Sequence, residues 1–248
     1  MIFNTSLVPN FSDFCQDTIR IFNEVKQINE GVLPSHIPEL ASANPNHFAI
    51  SLCTVDGQTF SYGDADVEYT LQHTVLPLAY CLSCSQSGIA KVHDYIGREP
   101  SGASYNSFSL NSDKKPHNPM INTGGIVNCA IIQPLYNSSE RFGKMNDIIS
   151  QLAGGKKLAF NQRAYLSEKT TADRNRALAY FIRGNGVKGL EGSRITDVLD
   201  FYFQICSIAC NTKDLSVIAS TLANGGKCPI TGKRVINSEV VKACLSLL

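Results

Sequence analysis

What is missing from this chain of 248 residues narrows what it can be. An excess of either charge is missing: 22 lysines and arginines stand against 21 aspartates and glutamates, a formal net charge of +1, and the basic residues are scattered along the chain. That balance gives no electrostatic basis for a nucleic-acid partner or for an acidic membrane surface. Apolar runs are short, none approaching the ~20 residues that span a bilayer. The start, Met1 to Ser6, has neither the charged-then-apolar layout of a secretory signal nor the arginine-rich amphipathic character of a mitochondrial presequence. Internal repeats and low-complexity tracts are also lacking. Nine cysteines, an odd number without a secretory signal, argue against a disulfide framework. The expected compartment is reducing, cytoplasmic or mitochondrial, and the protein is not expected to be secreted.

Metal and phosphate motifs fail on spacing. Cys81-x-x-Cys84 looks like half of a redox or zinc site, but no second pair lies at finger spacing, and Cys206 and Cys210 sit one helical turn apart in an apolar run. These thiols read as small buried hydrophobes. Gly225-Gly226-Lys227 and Gly232-Lys233 imitate a phosphate loop, yet the first glycine is misplaced and Arg234 stands where serine or threonine is required. No metal and no cofactor is expected. With 43% hydrophobic and 17% charged residues, the chain can bury a full core as one or two domains.

Periodicity predicts mostly helix. Apolar residues at Phe14, Ile19, Ile21, Phe22 and Val25 mark a lead-in helix that ends before Gly31-Val32-Leu33-Pro34, so residues 1–34 read as an amino-terminal region ahead of a main body at 35–248. Phe48 to Val55 and Gln58 to Tyr62 read as a hairpin turned by Asp56-Gly57. Leu78 to Tyr95 reads as helix behind Pro77, and Gly97 to Gly125 as a long ordered loop, a type that is usually functional. Further helices are predicted around Phe142–Leu152, Thr171–Arg183, Thr196–Ile208 and Leu215–Leu222, and from a Ser238 cap into Leu245–Leu248. A lone hairpin is marginal in water unless helices cover it or further strands join it.

Several ordered blocks carry a resemblance. Glu99-Pro100-Ser101-Gly102 and Lys115-Pro116-His117-Asn118-Pro119-Met120-Ile121-Asn122-Thr123-Gly124-Gly125-Ile126 resemble the substrate loop of the serine-dependent glutaminases. Val8-Pro9-Asn10-Phe11, Phe160-Asn161 through Ser167-Glu168, Asp173-Arg174-Asn175, Leu199 to Ser207, Thr221 to Gly226 and Cys228 to Gly232 extend the likeness over almost the whole chain, nearest to the animal kidney and liver types. The resemblance implies an α+β fold like that of the serine β-lactamases, a helical cluster beside an antiparallel sheet. In that fold further strands follow the helix that starts here at Ser238, so the sheet is expected to be incomplete and the chain carboxyl-terminally truncated.

The same resemblance implies a reaction, hydrolysis of L-glutamine to L-glutamate and ammonia, through a serine activated by a lysine three residues later. His73 stands at the serine position and Leu76 at the lysine position, in Leu71-Gln72-His73-Thr74-Val75-Leu76-Pro77. His36 replaces a pocket tyrosine. Asn122, Glu168, Asn175 and Tyr202, by residue-wise transfer, would meet the α-amino and α-carboxylate groups of glutamine or glutamate. Taken alone, Glu168 also reads as a residue capping or solvating a helix start, Tyr202 as a core tyrosine, and Asn122 and Asn175 as turn and cap residues. The resemblance therefore implies a pseudoenzyme that keeps ligand recognition and lacks hydrolysis. The alternatives are an active glutaminase with rearranged machinery, or a regulatory or inert subunit. Family assembly implies a homo- or hetero-oligomer with glutaminase-family subunits.

Overall fold

The computed structural model describes residues 7–132 and 136–248; Met1 to Ser6, where a targeting signal would begin, lie outside them. The elements run α1 (Phe11–Val25), α2 (Pro38–Ala41), β1 (Ala49–Cys53), β2 (Thr59–Gly63), β3 (Tyr69–Thr70), a 3₁₀ turn (Gln72–Val75), α3 (Leu76–Ser87), α4 (Ile89–His93) and α5 (Asn122–Ile132). After the undescribed residues come α6 (Ser138–Leu152), β4 (Ala159–Phe160), α7 (Gln162–Thr171), α8 (Asp173–Gly184), α9 (Ile195–Cys206), β5 (Ile208–Cys210), α10 (Thr212–Ala223) and α11 (Ser238–Leu245). The fold is α+β, a helical cluster with two small antiparallel sheets. No helix among the described residues is long and apolar enough to cross a membrane.

The hairpin forms where alternation predicts it, with Ile50 opposite Tyr62 and Leu52 opposite Phe60. The Ser51 and Ser61 hydroxyls meet across the pair at 2.9 Å. Helices cover it: α10 packs against β1 and donates from Ser220 Oγ to the Thr54 carbonyl at 2.9 Å. From α1, the Phe22 ring lies 4.7 Å from that of Phe48 and 4.9 Å from that of Tyr62.

The second sheet, ordered β3-β5-β4, has no counterpart in the sequence pattern, and Ile208 belongs to its central strand rather than to the preceding helix. Strands of two or three residues are too short to show a two-residue period, and β5 continues the apolar run of α9 without a break. Likewise the expected Leu78–Tyr95 helix is divided at Gly88, whose φ of +85° is open to glycine at little cost. The helix expected over Thr171–Arg183 is α8, and α7, which ends against it at Ala172, has no counterpart in the sequence reading. The last helix is capped by Asn237, which accepts from the Glu239 amide at 2.8 Å, and not by Ser238, its first residue.

The core is built around α5, buried on nearly every face against α3, α8 and α9. A helix that is apolar all round belongs inside. The loop reading fails at its end, because the chain turns helical at Asn122 and carries Gly124 and Gly125 inside the helix. Gly124 is there for contact: an added Cβ would fall 1.9 Å from the Asn118 carbonyl oxygen. That contact seats the preceding loop on the first turn of α5.

Gly124→Ala is expected to push that loop off α5 and to lower stability by about 2–3 kcal/mol, the usual cost of overpacking. Urea denaturation of the two proteins measures it; an unchanged midpoint would show that the loop yields freely.

Candidate functional site

A cavity of about 220 Å³ opens between the long loop, the 3₁₀ turn and the helices α7 and α8. His36, His73, Asn122, Glu168 and Asn175 all line it, so five positions singled out along 140 residues of sequence converge on one space. Each is delivered differently. Asn122 begins α5, with its amide bonded to the Tyr105 carbonyl at 2.9 Å. Asn175 lies in the first turn of α8, and its side-chain oxygen accepts from Asn122 Nδ2 at 2.8 Å. The cap of α8 is Ala172, so Asn175 is not a capping residue.

Glu168 is not a solvated helix start either. It lies well inside α7 with 5% of its surface exposed, and among the described residues its Oε2 has no hydrogen-bond partner. Burial pushes its carboxyl up to about 8, opposed by a hydrogen bond from the Gln72 side chain. Asn122 Oδ1 is the second buried acceptor without a donor in this cavity. Two unmet acceptors on residues lining one cavity suit a ligand that brings N–H donors, above all an ammonium, because a buried polar atom left unpaired is costly.

His73 sits on the 3₁₀ turn directly after Gln72, a non-glycine residue held at φ +48°. Backbone in the left-handed region costs of order 1 kcal/mol or more and is retained where surrounding structure imposes it. The His73 Nε2 and the Tyr202 hydroxyl are 3.1 Å apart, and the Tyr105 ring meets the imidazole edge-on at 5.2 Å. Burial and then the nearby His36 hold His73 below its ordinary range, so its imidazole is neutral. Tyr202 is wholly buried on α9 and stands behind His73 instead of lining the cavity. Its core reading and its contact with the site are both true of it. Leu76 also faces inward, 1% exposed, and closes with Tyr202 over Gly125, where an added Cβ would meet them at 2.9 and 3.1 Å.

Tyr105, Asn106 and Arg174 complete the walls, although the sequence does not single them out. Arg174 donates to the Asn106 carbonyl at 2.8 and 3.1 Å and lies over the Phe108 ring at 4.4 Å, clamping the loop to α8. The signal available was position alone, since all three lie within or between the family-like blocks. Among the described residues no three of His, Cys, Asp and Glu converge closely enough to hold a metal ion. All nine cysteines are free thiols, and eight are buried.

Residues 31–248 match the family model described as Glutaminase. The chain is 42% identical over 242 residues to putative glutaminase 2 of Caenorhabditis elegans, covering 98% of this chain and 40% of that protein. It is 41% identical over 244 residues to the mitochondrial liver isoform of glutaminase from Rattus norvegicus, with the same coverage. The chain thus spans about two fifths of the length of these curated relatives. Among solved structures, that of Mglu in its tris and glutamate form superposes with a TM-score of 0.85 at 31% identity, over 94% of this chain and 51% of that one.

The Glu168 carboxyl has a stability signature. Its folded value, about 8, lies above its ordinary value of 4.5, so the stability associated with the buried acid is present below 4.5 and is lost as the pH rises through 8. The loss is on the order of a few kcal/mol, since each unit of pKa difference is worth about 1.4 kcal/mol. Glu168→Gln is expected to be the more stable protein at pH 8.5 and to lose that advantage by pH 4.5, as urea denaturation at the two pH values will read. An equal effect at both would show that the carboxyl titrates alike in the folded and unfolded chain.

Proposed function

Because this chain belongs to the glutaminase family, we propose that it binds the α-amino acid portion of glutamine or glutamate without hydrolysing the side-chain amide. The observation that carries this reading is the contrast between two parts of one cavity. Where the substrate's ammonium would sit, Glu168 Oε2 and Asn122 Oδ1 are buried acceptors awaiting donors. Where a serine and a lysine would act, there are an imidazole and a core leucine.

The family route needs an oxygen nucleophile whose proton a neighbouring base removes. His73 has no hydroxyl, and Leu76, 1% exposed beneath it, has no basic atom. Removing a nucleophile that acts as a unit with its base costs on the order of 10⁶ in turnover. The recognition chemistry is independent of that loss. Glu168 as a carboxylate pairs with the ammonium and is relieved of its desolvation, while the Asn175 and Asn122 amide groups, already bonded to each other at 2.8 Å, offer N–H to the α-carboxylate.

Purified protein is expected to release no ammonia from glutamine above background. Saturable release abolished by His73→Ala would overturn the proposal and favour rearranged catalysis through the histidine. Calorimetry is expected to detect glutamine or glutamate binding that Glu168→Gln weakens at least tenfold. Affinity is also expected to rise by up to tenfold per unit between pH 6.5 and 8, because the carboxyl titrates at about 8 in the empty cavity and must lose its proton to meet an ammonium. A pH-independent affinity, or none at all, would remove Glu168 from the role of ammonium partner.

A further inference from the structure

On the far side of the same helices lies a second cavity of about 460 Å³, which shares no lining residue with the first. Four of its side chains are cations, Arg141, Lys169, Arg176 and Arg194, and two are carboxylates, Asp197 and Asp200. Lys169 and Arg176 directly follow Glu168 and Asn175 in sequence. One residue along a helix turns the side chain by about 100°, so α7 and α8 each serve one cavity with one residue and the second cavity with the next.

Arg141 makes this cavity unusual. It is 2% exposed, on α6, and takes part in none of the ion pairs among the described residues. Its Nη2 donates to the Asp197 carbonyl at 3.3 Å, its guanidinium lies over the Phe201 ring at 4.5 Å, and its Nε has no acceptor. Both nearby carboxylates are engaged elsewhere. Asp200 accepts from Lys169, and from the Tyr165 hydroxyl at 2.5 Å, while Asp197 is paired with Arg194 at 3.6 Å. A buried guanidinium keeps its proton, so its charge must be met by something else or remain uncompensated. Burial pushes its pKa down, and Cys129, Asp197 and Asp200 offset only part of that.

Ser138 and Thr196 add two hydroxyls to the lining, and the remaining walls are apolar. Ile195, Leu199 and Phe203 from α9 and the half-exposed ring of Tyr180 from α8 face the same space. A cavity with a planar cation at its base and hydrocarbon on its sides matches an anion that has a flat or apolar body, since the guanidinium fork fits a carboxylate edge-on. We propose that this cavity is a binding site for a small organic carboxylate with an apolar body, held by Arg141 and Arg194 and separate from the amino-acid cavity.

Methyl-labelled protein titrated with benzoate tests it. Saturable shifts are expected at the Ile195 and Leu199 methyls, which line this cavity, with the Ile37 methyl of the first cavity unmoved. Benzamide, which has the ring without the charge, is expected to give no saturable shift, and inorganic phosphate to bind at least tenfold more weakly than benzoate. Arg141→Met is expected to weaken benzoate tenfold or more. Arg194→Gln, at a side chain 80% exposed and so safe for folding, is expected to weaken it at least threefold. Absence of saturable benzoate shifts, an equal response to benzamide, or unchanged affinity in both variants would overturn the site. Phosphate binding as tightly as benzoate would overturn the apolar-body class. Because the methyl reporters distinguish the cavities, these outcomes are independent of whether glutamine binds in the other one.

Discussion

The burial of α5 is the constraint on which the rest depends. A helix enclosed by α3, α8 and α9 must be apolar along its length, yet its first turn carries Asn122 and Thr123, both buried. Polar groups in that position need partners. Asn122, a residue of the cavity lining, finds one in Asn175, and its carbonyl oxygen is left without a donor among the described residues. Gly124 lets the Asn118 carbonyl approach closely enough to seat the loop above, and that loop supplies Tyr105 and Asn106. The site is thus a consequence of how the central helix begins.

Around that beginning the protein holds several groups in states they would not adopt in water. Glu168 is pushed towards neutrality, His73 is held neutral, and Gln72 is kept at positive φ. Each costs stability, and each lies at the rim of one small cavity. On the opposite side Arg141 is a buried cation without an ion-pair partner among the described residues. Features of this kind collect where a ligand supplies what the protein does not, which is the usual reason a fold tolerates them.

His73 and Leu76, three residues apart in the chain, meet different surroundings. His73 remains a polar wall, tied to Tyr202 at 3.1 Å. Leu76 becomes part of the core, packed with Tyr202 over Gly125.

Local pattern was legible wherever a segment's own residues decide its conformation. The hairpin at Phe48 to Tyr62 alternates and turns at Asp56-Gly57, and α1, α6 and α10 show their apolar faces in sequence order. The family-like blocks singled out Asn122, Glu168, Asn175 and Tyr202 together, along with His36, His73 and Leu76. Strands β3, β4 and β5 were illegible because two or three residues carry no period and are strands only through pairing with distant partners. Glu168 illustrates the division best. Its identity is a matter of sequence, whereas its place inside α7, its 5% exposure, its missing donor and its raised carboxyl appear only once α7, the loop and the 3₁₀ turn close around it. The same holds for Arg141, which by pattern only precedes the helix expected from Phe142 and in the fold is a buried cation without an ion-pair partner among the described residues. Sequence determines which groups are present and how each helix or hairpin forms; solvent exclusion, which depends on every neighbouring element at once, is decided by tertiary structure alone.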